Sequence, residues 1–457
     1  MKKERSSFSN RLGFVLAAAG SAVGLGNIWR FPYLAAKYGG GTFLVTYIAL
    51  AVTFGFALMV TEIAIGRKTG LSCISAYKAL DKRFAFLGWI AALVPIIITP
   101  YYCVIGGWVT KYLMVFLSGN GGEAAGNEFF GNFIGITGSG LGDNPVFWFL
   151  LFIMLTGLIV LFGVEKGIER VSRAMMPVLV LLTIFIAGYS LTIPGAMAGL
   201  KYYLMPDFSN FSVTTILGAM GQLFYSMSLS MGIMITYGSY MKKEDNLERS
   251  VMQIEIFDTG IALLAGLMIV PAVVAFNGGD PTSINAGPSL MFGTMPKVFD
   301  FMAFGDIIGT AFFLLVLLAA LTSSISLMET VVSMVQDKLH WNRKLSTIVI
   351  TIGLTALGIP SALGYGPWAS VTVLGLQFLD FFDFLSNSVL MPIVAFLTCI
   401  LIGHVVGTKV IADEVEQHKS TFRRKKLHHA MIRWVAPIML VAILGTELAK
   451  YAGFIKI

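Results

Sequence analysis

Two stretches of the chain place glycine and serine where an apolar helix tolerates them least. One reads Gly20-Ser-Ala-Val-Gly-Leu-Gly-Asn27, the other Gly221-Gln-Leu-Phe-Tyr-Ser-Met-Ser-Leu-Ser-Met-Gly232. Both lie inside long apolar segments, and glycine and serine weaken a helix there. A break in hydrocarbon leaves backbone groups unsatisfied, so it survives only where it lines a cavity or binds something. The chemistry on offer is ligation. Unwound carbonyls suit a hard cation, and half-helix N-termini suit an anion. Charges at the same depth need partners: Arg30 lies in the first apolar segment and Asp258 in the seventh, where a carboxylate is costly unless a cation faces it.

Other chemistries find less support. The three cysteines, Cys73, Cys103 and Cys399, form no metal-ligand spacing and no disulfide framework. The histidines, His340, His404, His418, His428 and His429, form no set with a nucleophile or a base at membrane depth, which argues against an enzyme. Gly24-Leu-Gly26 lacks the third glycine of a nucleotide loop and follows no strand. Gly20-xxx-Gly24 alone also fits a helix-packing motif.

The elements that position these residues follow from composition. The chain has 457 residues, 56% of them hydrophobic and only 12% charged, with mean hydropathy +0.80. Soluble domains carry about twice that charge, so the bilayer is the solvent to expect. Apolar stretches near 11–37, 41–66, 86–117, 146–163, 172–194, 213–240, 250–276, 305–335, 345–362, 370–405 and 430–450 predict about eleven transmembrane helices, numbered spans 1 to 11 here: an all-α polytopic membrane protein. The first stretch runs on through Gly20–Gly26 without a cleavage site, and so reads as a span rather than a signal peptide.

Lysine and arginine fix the orientation. With the N-terminus in the cytoplasm, the inner loops hold Lys2, Lys3, Arg5 and Arg11, then Arg67 to Arg83, Lys166 to Arg173, Lys242 to Arg249, Lys338 to Lys344 and Lys409 to Arg433. The outer side holds only Lys37, Lys111, Lys201, Lys297, Lys450 and Lys456. This asymmetry accounts for the net charge of +7 without nucleic acid as a partner. The expected location is the cell (inner) membrane.

The two broken segments fall in spans 1 and 6. Paired interruptions five spans apart point to an inverted repeat with a binding site between its halves. The organisation expected is a cytoplasmic latch at 1–10, a first repeat at 11–195 and a second at 196–405. A cytoplasmic amphipathic segment at 406–429 and the last span at 430–457 complete it.

Gly20-Ser-Ala-Val-Gly-Leu-Gly-Asn-Ile-Trp-Arg-Phe-Pro-Tyr33 resembles the first-helix signature of the neurotransmitter:sodium symporters. The resemblance continues in order through Gly39-Gly-Gly41, Glu62 with Gly66-Arg67, Tyr101-Tyr102 with Trp108, Gln222 to Ser228, and Ala319-Ala-Leu-Thr-Ser-Ser324, over about residues 5–450. It implies the leucine-transporter fold, a 5+5 inverted repeat with unwound helices 1 and 6, and sodium-driven alternating access.

The resemblance also implies ligands. One of two sodium ions would take the carbonyls of Gly20, Val23 and Ala319 and the hydroxyls of Thr322 and Ser323, although such hydroxyls can instead back-bond to their own helix. The other would take the Ala22 carbonyl, Asn27, Ser226 and a span 7 residue, where this chain has Asp258 in place of the family's usual Asn. Animal members need chloride, and a fixed carboxylate, Asp258 or Glu62, could do its electrostatic work.

A substrate carboxylate would meet the amides from Ala22 to Gly26 and the Tyr102 hydroxyl, and carbonyls near Ala22 and from Tyr225 through Ser226 to Ser228 would accept from its ammonium. Monoamine carriers have Asp at the position of Gly24, so glycine here implies an amino acid. Its side chain would lie among Ile98, Tyr225, Ser228, Met231, Ser323, Ser324 and Leu327. That surrounding is apolar, which suits a neutral hydrophobic or aromatic side chain. Phe224 and Tyr102 would form a lid. Arg30 with Asp383 would close the outer gate and Arg5 with Asp337 the cytoplasmic one, with Phe8 where the family usually has Trp. The alternatives are a transport-inactive sensor or a carrier of another small zwitterion. A channel would want a ring of like groups, which two unlike breaks do not supply.

Overall fold

A computed structural model describes residues 6–280, 284 and 287–451. Among the described residues the chain is helical apart from turns and two isolated bridges. Among the described residues eight helices are long and apolar enough to cross a membrane: Gly41–Thr69, Lys82–Leu117, Val164–Ser190, Leu247–Phe276, Gly305–Leu339, Arg343–Leu363, Phe378–Val405 and Lys425–Tyr451. A ninth span is the pair Arg11–Ala22 and Gly26–Lys37, bent by 54° at the break. The remaining two expected spans have reasons for missing that length. Pro145–Leu161 has 17 residues, and span 6 is split into Val213–Ser226 and Ile233–Gly238.

The breaks lie inside the stretches the sequence marked. In span 1 the helix ends at Ala22, Val23 turns to extended backbone, and a π-helical turn Gly26–Arg30 resumes the path. In span 6 the interruption runs from Met227 to Gly232, with Ser228, Ser230 and Gly232 at φ 52°, 62° and 73°.

Span 8, Gly305–Leu339, is the most enclosed, with 78% of its apolar window buried, against 22% for the last span. Span 8 packs along span 3, Lys82–Leu117, and also touches spans 1, 4 and 5. It therefore forms one wall of whatever lies between the breaks. The second half of span 6 is fixed against span 2 backbone to backbone. A Cβ on Gly66 would stand 1.9 Å from the Ile235 carbonyl, and one on Gly238 would stand 2.3 Å from that of Ile63. Small residues permit that approach where lipid supplies no hydrophobic driving force between helices.

Residues 406–429 do not form one amphipathic helix. They break into the short helices Lys409–Val415 and Lys425–Ala430, separated at His418 by left-handed backbone. Ion pairs hold the segment down. The Arg67 Nε donates to Glu414 Oε1 at 2.8 Å, both side chains 1% exposed, and Lys243 Nζ reaches the same oxygen at 2.9 Å. Glu248 accepts the N–H groups of Arg423 and Arg424 at 2.9 and 3.0 Å.

Candidate functional site

The two breaks and the middle of span 8 meet around a small cavity. Of the expected substrate contacts, Ala22, Gly24, Gly26, Ile98, Tyr102, Tyr225, Ser228, Met231, Ser323 and Leu327 line it. Ser21, Leu25, Asn27 and Ile233 join them. Three expected contacts lie elsewhere. Ser324 shares a hydrogen bond of 2.9 Å with Thr156 of span 4, because adjacent residues on a helix point about 100° apart and Ser323 already takes the inward direction. Ser226 faces Asp258. Phe224 lines a second cavity with Arg30, Asn387 and Glu447, and Tyr225 borders both.

Gly24 is required by space. A Cβ there would stand 2.7 Å from Ser323 Oγ and 2.8 Å from the Tyr102 hydroxyl. The Leu25 N–H donates to that hydroxyl at 3.2 Å, which ties the phenol to the backbone of the first break. Gln222 Nε2 donates to the Gly26 carbonyl at 2.9 Å and ties the second half of span 1 to span 6.

Oxygens gather at two points beside the cavity. At the first, Ser323 Oγ stands 3.0 Å from the Ser21 carbonyl, 3.3 Å from that of Val23 and 3.5 Å from that of Gly20. One hydroxyl has one proton, so at most one of these carbonyls is satisfied by it. Thr322 Oγ1 back-bonds to the carbonyls of Leu318 and Ala319, at 3.0 and 3.1 Å, and keeps its lone pairs. This donor set, all oxygen and largely without protons between its members, fits a hard monovalent cation.

At the second point Asp258, fully buried, accepts on Oδ1 from Asn27 Nδ2 and Ser226 Oγ, both at 2.8 Å, and on Oδ2 from Tyr47 at 3.4 Å. Asn27 Oδ1 accepts the Gly24 N–H at 3.0 Å. The amide thus turns its NH₂ toward Asp258 and Ser226, and its oxygen would face a cation there only after a half-turn. Glu62 is not part of this group. Its Oε1 accepts the Ser230 N–H at 2.7 Å, inside the span 6 break.

The gates differ from expectation. Arg30 forms no ion pair with Asp383 within 4.0 Å; its guanidinium lies 5.6 Å over the Tyr225 ring. Asp383 Oδ1 is already occupied by Asn387 Nδ2 at 2.6 Å and Tyr101 at 3.2 Å. On the other side Asp337 accepts the Ser72 N–H at 2.6 Å, and Arg5 lies outside the described residues. Phe8 is buried edge-on to Phe14, Tyr237 and Tyr240, its ring centroid 5.6 to 6.2 Å from theirs.

The model of the sodium:neurotransmitter symporter family matches residues 5–131 and 122–455. The chain belongs to that family. It is a multi-pass membrane transporter and not an enzyme. An uncharacterized sodium-dependent transporter of Bacillus subtilis is 36% identical over 446 residues, covering 95% of this chain and 96% of that one. Another from Haemophilus influenzae is 33% identical over 460 residues, covering 98% and 99%. Among solved structures, MhsT in complex with L-phenylalanine matches with a TM-score of 0.86 at 37% identity, over 97% of this chain and all of that one. This sodium:neurotransmitter symporter thus has the leucine-transporter fold that its first helix implied.

The sequence missed Ser21 and Ser326. The signal was present. Ser326 follows Ser323 by three residues, the spacing that keeps two side chains on one face of a helix, and Ser21 lies within the first break.

Proposed function

We propose that the chain is a sodium-coupled symporter of a neutral, hydrophobic or aromatic L-amino acid, working by alternating access from the cell membrane. The observation that carries this reading is the cavity between the two breaks. Its apolar walls, Ile98, Met231, Ile233 and Leu327, stand beside the backbone of the first break and the Tyr102 hydroxyl at one end. Such a site takes an α-carboxylate at the polar end and an apolar side chain at the other. The bound L-phenylalanine of MhsT accords with it.

The two oxygen clusters are the sodium sites in this reading. Gly20, Val23, Ala319, Thr322 and Ser323 hold one ion; Ala22, Asn27, Ser226 and Asp258 hold the other. Sodium and substrate can drive the conformational cycle only through different affinities for its two states. Arg30 with Asp383, and Arg5 with Asp337, are the contacts that would alternate.

Transport is chloride-independent in this reading, because Asp258 supplies a fixed negative charge beside Asn27 and Ser226, where Glu62 is not. Equal uptake in chloride and gluconate is expected; a strict chloride requirement would sink this point. The deciding experiment is uptake of each radiolabelled amino acid into proteoliposomes with inward sodium or with potassium. Sodium-dependent uptake of one or a few neutral amino acids is expected. Its absence for every amino acid would favour the sensor or another solute.

A further inference from the structure

Four serines from three elements form one hydrogen-bonded cluster around the Ser21 carbonyl at the floor of the cavity. Ser228 Oγ, in the span 6 break, donates to the Ser21 carbonyl at 2.9 Å, and Ser323 Oγ, from span 8, reaches the same oxygen at 3.0 Å. The Ser21 hydroxyl lies 2.6 Å from Ser326 Oγ, and Ser326 Oγ donates to the Ser323 carbonyl at 2.8 Å. All four side chains are buried.

Counting protons keeps the Ser21–Ser326 bond in either of two arrangements, because Ser21 Oγ also lies 3.3 Å from Ser228 Oγ and can donate to it. Each hydroxyl has one proton and the Ser21 carbonyl has two lone pairs. Where Ser326 gives its proton to the Ser323 carbonyl, the proton between Ser21 and Ser326 comes from Ser21; where Ser21 gives its own to Ser228 Oγ, that proton comes from Ser326. Ser228 and Ser323 fill the two lone pairs of the Ser21 carbonyl. Ser323 Oγ then turns its own lone pairs toward the carbonyls of Val23 and Gly20, at 3.3 and 3.5 Å, with no proton between them. A hydroxyl can ligate a cation only if its proton is accepted elsewhere, and Ser21 is where it goes.

We propose that Ser326 is a positioning residue. By holding the Ser21 hydroxyl it fixes the one carbonyl that orients both Ser323, on the cation side, and Ser228, on the substrate side of the second break. Loss of this hold lets the two breaks move separately, so occupancy of one site is felt less at the other. The inference rests on the sodium and substrate sites proposed above.

The test is binding of radiolabelled L-phenylalanine and L-leucine to the purified full-length protein, titrated with sodium at constant ionic strength. Ser326→Ala is expected to raise the sodium concentration for half-saturation about 5-fold, the yield of one neutral hydrogen bond. Ser326→Thr, which keeps the hydroxyl, is expected to restore it. Ser21→Ala removes the other partner, should act in the same direction, and decides the matter if Ser326→Ala does not fold. A purely structural role would lower the melting temperature and leave the sodium midpoint alone. Folded alanine variants with midpoints within about 2-fold of wild type would overturn the inference. Wild-type protein that binds neither amino acid in a sodium-dependent way would overturn the functional reading, and this inference with it.

Discussion

The two breaks do the same job by different means. The first is short: Val23 departs from helix, no residue enters left-handed backbone, and the chain resumes as a π-turn. The second spans six residues and places Ser228, Ser230 and Gly232 at positive φ. For a serine that conformation costs about 1 kcal/mol or more. Contacts with other elements hold it there: the Glu62 side chain takes the Ser230 N–H, and Ser228 gives its proton to the Ser21 carbonyl. The first break is thus written into local sequence, whereas the second is imposed by tertiary contacts.

That contrast can be broken or sharpened by substitution. The largest effect is expected at Gly24, where Gly24→Ala drives a methyl into Ser323 and Tyr102. Overpacking of about 2–3 kcal/mol should cut sodium-dependent uptake about 100-fold with little loss of folded protein; near-normal uptake would refute the crowding. Asn27→Ala comes next. Sodium affinity and amino-acid affinity should fall together, about 10-fold each, since one side chain holds Asp258 and Ser226 through its NH₂ and the Gly24 amide through its oxygen. Unchanged sodium dependence would discredit the assignment.

At the second break, Glu62→Ala leaves the Ser230 N–H buried without an acceptor. A loss of about 1–3 kcal/mol is expected, read as a lower melting temperature in detergent. If the melting temperature holds, the second break does not depend on that contact. The smallest change is Ser230→Gly, which relieves left-handed strain and gives up a contact of only 3.4 Å to Glu62. Stability should move by under about 1 kcal/mol and sodium affinity not at all. A large loss would mean that the Ser230 hydroxyl, not its backbone, carries the contact.

The same contrast explains what the sequence disclosed. Gly24 and its neighbours lie within a few residues of one another, so the place and chemistry of the first break could be read directly. The extent of the second could not, because it depends on Glu62, some 168 residues away. Hydropathy located the eleven apolar stretches, yet it could not tell that the stretch at 213–240 divides into helices of 14 and 6 residues. Helix phase is the missing information behind Ser324, which adjacency to Ser323 suggested as a cavity residue and which meets Thr156 instead. Arg30 and Asp383 show a further limit. Sequence can name partners for a buried charge but not the competitors, here Tyr225, Tyr101 and Asn387, that occupy them.

The enclosed pair between Arg67 and Glu414 has a consequence for the medium in which such a protein works. Mobile ions weaken attraction between charges that face water, over a distance of about 8 Å at physiological strength. With both side chains 1% exposed, counter-ions cannot come between them. The anchoring of the 409–415 helix should therefore stay constant while the sodium concentration around the protein rises and falls.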